Sequence, residues 1–287
     1  MSNQVTTAFV QQYSANVQML SQQMGSRLRD AVRVESVTGK NAFFDQVGQA
    51  TAQKRTTRHG DTPQMDTPHA RRRVSLVDYE YADLIDDQDK VRMLIDPTSS
   101  YAMAAASAMG RAIDDEIIAA ATGTAFTGET GSTSTALPAA NQIADGGTDM
   151  TLAKLRSAKK ILDLADVDPS IPRYIARSPE QIDSLLGDTN VTSSDFNTIK
   201  ALVQGDVQQF MGFEFIVSNR LSKTGDIRKC FAWAEDGLAL AIGKDVSARI
   251  DERADKGYAT QVYYSMSVGS TRMEENKVVS IDCDETA

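Results

Sequence analysis

A chain of 287 residues with 41% apolar and 24% charged side chains can bury a substantial core as one or two domains, and its composition is that of an ordinary globular protein. A formal net charge of −9 disfavours condensation onto nucleic acid, whose phosphates reward basic surfaces, and no stretch approaches the ~20 apolar residues of a membrane span. The polar start MSNQVTTAFVQQY lacks a secretory signal's basic and then apolar pattern, and Cys230 and Cys283 form no CxxC, which argues against zinc knuckles and dithiol redox chemistry.

Along the chain, Phe9, Tyr13, Val17, Leu20, Met24 and Leu28 recur at helical spacing and predict an amphipathic helix over 6–29. Leu28 to Val37 reads as a strand. Residues 45–76 hold almost no large apolar side chain and read as a polar loop, of a length that in a compact domain usually carries a function. Between Thr51 and Ser75 the bases Lys54, Arg55, Arg58, Arg71, Arg72 and Arg73 face the acids Asp61 and Asp66, a local 6 − 2 = +4. Residues 78–96 reverse the sign: Asp78, Glu80, Asp83, Asp86, Asp87, Asp89 and Asp96 against Lys90 and Arg92 give 2 − 7 = −5. These two segments can pair within one chain or between copies.

Asp96-Pro97, followed by Thr98-Ser99-Ser100, starts the clearest helix, alanine-rich and ending at Gly123, with Arg111 placed for a surface ion pair with Asp114 or Asp115. Gly110 within it points to close packing. Residues 123–148, rich in Gly, Thr and Ser, read as a loop or weak hairpin. Leu152, Leu155, Ala158 and Leu162 form a helical stripe, Tyr174-Ile175 a short strand, and Ser178-Pro179-Glu180-Gln181 a helix start with a capping box. A further helix is expected over about 196–204, then a turn at Met211-Gly212 into a strand carrying Phe213, Phe215 and Val217. Phe231–Ala234 reads as a strand and Gly237–Ile242 as a short apolar helix. Clean alternation from Tyr258 to Val268 predicts a half-buried antiparallel strand, with Val278–Cys283 pairing beside it. Cys230 reads as a buried thiol and Cys283 as incidental.

Little of this supports catalysis. The only histidines, His59 and His69, share the polar loop with Asp61 and Asp66, where arginines oppose a divalent cation and no rigid surroundings hold a ligand set. There is no nucleophile elbow, no P-loop and no dinucleotide fingerprint, and the acidic run lacks the spacing of a calcium loop. No aromatic residue interleaves with the loop's arginines to stack on bases. The residues therefore assign no catalytic, cofactor or metal site, and leave a metal-dependent enzyme as the rival from another class.

The order of parts resembles the HK97-type α+β fold of tailed-bacteriophage major capsid proteins. FVQQYSANVQMLSQQMGSRLRDAV is similar to an N-terminal arm, TAQKRTTRHGDTPQMDTPHARRRVSL to the extended loop, and DPTSSYAMAAASAMGRAIDDEIIAAATG to the spine helix. RYIARSPEQ and FMGFEFIVSN resemble the axial domain, and TRMEENKVVSID the return to the peripheral domain. The resemblance implies an N-terminal arm and first strand over 1–38 and an extended loop over 39–77. A peripheral domain follows over 78–149 with its spine helix at 98–122, then an axial domain over 150–245 and return strands over 246–287. It implies self-assembly into pentamers and hexamers of an icosahedral shell that encloses DNA without sequence-specific binding, assembled in the host cytoplasm, with no cofactor and no membrane. A separate scaffolding protein, a portal and a decoration protein are the other partners it allows. An encapsulin-like bacterial shell of the same fold is the alternative. The intersubunit contact expected on charge joins Lys54, Arg55, Arg58, Arg71, Arg72 and Arg73 of one copy to Asp78, Glu80, Asp83, Asp86, Asp87 and Asp89 of the next. Reversing Arg71, Arg72 and Arg73 to Glu is expected to leave the subunit folded and impair assembly.

Overall fold

A computed structural model describes residues 21–58, 62, 64–86, 98–187 and 209–286. In chain order its first half contains β1 (Arg33–Ser36), β2 (Asn41–Val47), β3 (His69–Ser75), β4 (Val77–Ile85), α1 (Thr98–Thr122), β5 (Ala125–Thr127), β6 (Thr133–Thr135) and β7 (Gln142–Ile143). There follow α2 (Leu152–Leu164), β8 (Arg173–Arg177), α3 (Pro179–Gly187), β9 (Gln209–Phe210), β10 (Phe213–Val217), β11 (Lys223–Thr224), β12 (Ile227–Ala234), β13 (Leu238–Arg253), β14 (Ala259–Arg272) and β15 (Val278–Asp284). The fold is α+β, as the sequence implies. The helix expected near 196–204 lies outside the described residues, as does most of the one over 6–29. The described part of the latter, 21–28, is irregular and leads into a 3-10 turn at Arg29–Ala31, so the strand expected from Leu28 begins only at Arg33.

Three sheets organise the described residues. One runs β1-β13-β14-β4, with β1 parallel to β13 and the other pairs antiparallel. Helix α1 lies on it through a stripe at every fourth position, Ala105, Met109, Ile113, Ile117 and Ala121, all buried. A second sheet, β7-β15-β12-β8-β10-β9 with β11 beside β12, forms the other half of the core. Trp233 is fully buried there against Phe231 and Tyr174. Its indole N–H donates to Ala31 O at 2.8 Å, tying the turn before β1 to the second sheet. The third sheet, β2-β3-β5-β6, is antiparallel throughout and carries the loop between β2 and β3.

Two expectations fail, one on the type of an element and one on its partner. The apolar run Gly237–Ile242 is not a helix: Leu238–Ile242 opens β13, which lies between β1 and β14 with both faces covered. A strand buried on both faces loses its alternation and reads like a buried helix over so short a span. Likewise Val278–Cys283, in β15, does not pair beside β14. It sits between β12 and β7 in the second sheet, with Val278, Val279, Ile281 and Cys283 fully buried. Cys283 is therefore a core residue, not an incidental one, and lies on the strand next to Cys230.

The other elements follow local chemistry. The loop expected over 123–148 contains the β5–β6 hairpin. Gln181 Oε1 accepts the Ser178 N–H at 2.9 Å, the return bond of the expected capping box at the start of α3. Met211 and Gly212 both have positive φ (54° and 84°), which suits the tight turn joining β9 to β10.

Candidate interaction surface

The segment expected to be a polar loop is a hairpin at its base. β2 and β3 pair over seven residues each, so Arg71, Arg72 and Arg73 stand in a strand and not in a loop. Successive strand side chains point to opposite faces, and this divides the three arginines. Arg71 and Arg73 share the outer face with Phe43, Asp45 and Phe126, their cross-strand partners or neighbours. Arg71 Nε donates to Asp45 Oδ1 at 2.6 Å, with its guanidinium 5.6 Å from the centre of the Phe43 ring. The Arg73 guanidinium stands 4.7 Å over the Phe126 ring. Arg72 points inward and is 6% exposed, and its Nη2 donates to Glu275 Oε2 at 2.5 Å.

Behind Glu275 is Arg272, fully buried. Its Nη1 donates to the carbonyls of Ala121 (3.1 Å) and Gly123 (2.8 Å), and its Nη2 to Thr135 O (3.0 Å). A cation thus satisfies carbonyls that the end of α1 leaves open and matches the negative end of the helix dipole. Gln46 Nε2 adds a bond to Met273 O at 2.7 Å, so the hairpin base is fixed to the 272–275 turn at two points.

Beyond the base, Lys54, Arg55 and Arg58 are exposed. Arg55 Nε donates to Thr57 O at 3.0 Å, and Arg55, Thr56, Thr57 and Arg58 enclose an open cleft of about 540 Å³. The acidic partners are divided by the same pleat. Asp78 and Glu80 lie on the outer face of β4, exposed together with Ala82 and Leu84, and Glu80 accepts a bond from the Tyr263 hydroxyl at 3.0 Å. Asp83 lies on the face that turns Tyr79 and Tyr81 toward α1. It accepts from the Tyr81 hydroxyl and from Leu84 N–H. Tyr79 bonds Glu116, and burial with this carboxylate pushes its phenol well above the ordinary range. Asp86 is exposed just past β4, and Asp87 and Asp89 lie outside the described residues.

A second polar cluster escaped the sequence reading. Asp114 on α1 is fully buried and accepts from Gln23 Nε2, Ser26 Oγ, Arg27 N and Leu28 N at 2.5–3.1 Å. One turn earlier, a Cβ on Gly110 would lie 2.4 Å from Gly25 C, so glycine is required for the 23–28 segment to cross α1 this closely. Arg111 does not make the expected pair with Asp114 or Asp115. It donates to Gln22 Oε1 and Gln23 O, while Asp115 takes Arg220. Gly110 and Asp114 are four residues apart, hence on one helix face, and that spacing was the available signal.

The chemistry of catalysis is sparse in what is described. An open cleft of about 530 Å³ is lined by Lys159, Asp163, Asp166, Val167, Pro169, Arg173, Met211 and Gly212, without a serine, cysteine or histidine to act as nucleophile or base. Among the described residues no three His, Cys, Asp or Glu side chains gather as a metal cage. His69 is exposed on β3, while His59 and Asp61 lie outside those residues.

No curated protein sequence matches this chain. Solved structures do. The capsid of Cyanophage P-SCSP1u is similar with a TM-score of 0.74 and 19% identity, over 96% of this chain and 93% of that one. The capsid of Ralstonia phage GP4 is similar with a TM-score of 0.72 and 12% identity, over 96% and 95%. The capsid of a native GTA particle is similar with a TM-score of 0.72 and 11% identity, over 97% and 96%. At such identities the likeness speaks for the fold, which is the mixed α+β HK97-like one. The family model for phage capsid protein matches residues 5–285, nearly the entire chain. The chain therefore belongs to the phage capsid protein family, and is a structural, non-enzymatic component of the virion shell.

Proposed function

We propose that this chain builds an icosahedral shell as pentamers and hexamers, with a hairpin that reaches over the neighbouring copy. In this reading residues 1–38 form the N-terminal arm and first strand and 39–77 the extended loop. The peripheral domain is 78–149 with α1 as its spine, the axial domain 150–245, and the return strands 246–287. The observation that carries it is the hairpin itself: a two-stranded base fixed to the body by Arg72 and Gln46, ending in a segment where Lys54, Arg55 and Arg58 are exposed. Ion pairs from such a tip are worth only about 0–1 kcal/mol each. A closed shell repeats them in every copy, and opposite charges set register as well as affinity. The partners on the neighbour are drawn from Asp78, Glu80, Asp83, Asp86, Asp87 and Asp89. A scaffolding protein, a portal and a decoration protein complete the assembly, and the DNA inside is held without sequence-specific contacts.

Sedimentation and electron microscopy of the purified protein test this. Closed particles of uniform size are expected, fewer of them as salt rises, and fewer still after Lys54→Glu, Arg55→Glu and Arg58→Glu together. Open sheets or free subunits under every condition would contradict it.

A further inference from the structure

Helix α2 carries a charged patch that the packing of the subunit does not use. Leu155, Ala158 and Leu162 turn inward and are buried. Arg156, Lys159 and Lys160 share the other side, three and four residues apart and hence neighbours on the helix surface. None of the three has an ion-pair partner among the described residues. Asp163, three residues beyond Lys160, accepts instead from Arg173 Nη1 at 2.6 Å. Like charges at these spacings repel, so the patch weakens the helix of the free subunit unless an anion covers it.

The patch borders a groove. A cleft of about 410 Å³ is lined by Arg156, Lys159, Lys160, Asp163, Leu164 and Met211. It shares Lys159, Asp163 and Met211 with the cleft of about 530 Å³ that reaches Arg173 and Gly212. Leu164, the last residue of α2, is 73% exposed, and Met211 is half-buried. Arg173 is buried, and its Nε has no hydrogen-bond partner. Apolar side chains therefore lie along the groove and unpaired cations along its rim, the division found at protein interfaces. Nucleic acid fits poorly here. Asp166 lines the groove, and the negative end of the α2 dipole lies at Leu164, so a continuous row of phosphates would meet both. A protein segment can instead set a carboxylate against each cation and an aliphatic side chain against Leu164 and Met211.

We infer that this groove docks an acidic segment of a separate protein, an aliphatic side chain flanked by carboxylates. Arg156, Lys159 and Lys160 take the carboxylates, and Leu164 and Met211 take the aliphatic side chain. The choice of a separate protein rests on the shell reading, in which the chain's own acidic stretch over 78–89 already meets the hairpin of a neighbour. Clusters of cations that read acidic motifs are a recurrent mode of peptide recognition. Ion pairs on such a rim are weak singly, and they set selectivity and salt dependence more than affinity.

Fluorescence anisotropy of the full-length subunit tests it, with a labelled synthetic peptide of leucines each flanked by glutamates as the probe. An all-glutamate peptide and a DNA duplex are the comparators. The probe should bind best, and less well as salt rises. Arg156→Gln, Lys159→Gln and Lys160→Gln together should weaken it about ten-fold and flatten its salt dependence. Leu164→Asn should weaken it with the salt dependence kept. Arg249→Gln with Lys256→Gln, exposed cations elsewhere, should leave it unchanged. Melting of the free subunit controls for folding, and the triple variant should melt no lower than wild type because repulsion is relieved. If it does melt lower, Arg156→Gln with Lys160→Gln, both exposed, carry the test. A probe that wild type does not bind, variants that bind it equally, or a comparator that binds as tightly overturns the proposal. Particles formed in the presence of the probe should carry it. If they exclude it, a second copy covers the groove, and the proposal fails while the shell reading stands. If wild type forms no particles, the shell reading fails, and binding to the subunit decides the groove alone.

Discussion

Arg71, Arg72 and Arg73 are consecutive and chemically identical, yet the strand sends the middle one into the subunit and the outer two to its surface. Their charge was legible in the sequence. Their orientation was not, because nothing in HARRRVS announces a strand: the apolar partners that make it one, Phe43, Phe44 and Phe126, come from elsewhere in the chain. The expectation that reversing all three leaves the subunit folded is therefore revised for Arg72, which is buried against Glu275. Arg72→Glu would set a carboxylate against Glu275 in a buried site. Arg72→Ala is expected to cost about 1–3 kcal/mol in urea unfolding, because Glu275 loses a buried donor while Arg272 stays beside it. Arg71→Gln should stay close to wild type. Glu285 gives a pH prediction. Arg228, Lys223 and Gln181 donate to it and lower its carboxyl from the ordinary 4.5 to about 2. A depressed carboxyl contributes stability that is full above 4.5 and lost as pH falls through about 2. Melting temperature should fall over that interval, and Glu285→Gln should flatten the fall. Cys230 and Cys283 make a simpler case. Both are buried and free, and the neighbouring Cys283 together with burial pushes the Cys230 thiol up. Neither should react with a thiol reagent in the folded subunit, and both should react in denaturant.

At the scale of elements, the sequence was readable where a segment carries its own punctuation. The Ser178 cap, the Met211-Gly212 turn and the alternation of β14 all stand where local chemistry puts them. It was unreadable in the first part of β13, where burial on both faces removes the pattern, while β15 was legible as a strand and only its partners, far away in sequence, were not. The segment 21–28 fails differently. Its apolar spacing suggests helix, but Asp114 gathers the N–H groups of Arg27 and Leu28, which a helix would have given to its own backbone. Gly110→Ala tests the crossing on α1. The added methyl collides with the Gly25 backbone, and a loss of about 1–3 kcal/mol is expected, as for an overpacked core. Faster amide exchange confined to residues 22–28 would place the damage at the crossing, and exchange raised evenly through the chain would argue against this role.

For the whole molecule, one continuous path from β3 to β4 joins the sheet that carries the loop between β2 and β3 to the sheet that supports α1. Arg72, Glu275 and Arg272 connect the same two parts through side chains, from the hairpin base to the end of the helix. A force on the hairpin from a neighbouring copy therefore meets a braced base and not a swinging loop. The sorting of charges into those that brace and those that face outward depends on strand registers that no local pattern encodes. The most direct measurement is a cryo-electron microscopy map of the assembled particle at side-chain resolution. The account predicts a closed icosahedral shell in which the hairpin segment of each subunit that carries Lys54, Arg55 and Arg58 lies against acidic residues of the 78–89 segment of the next. A closed shell with that hairpin segment clear of every neighbouring copy would contradict it.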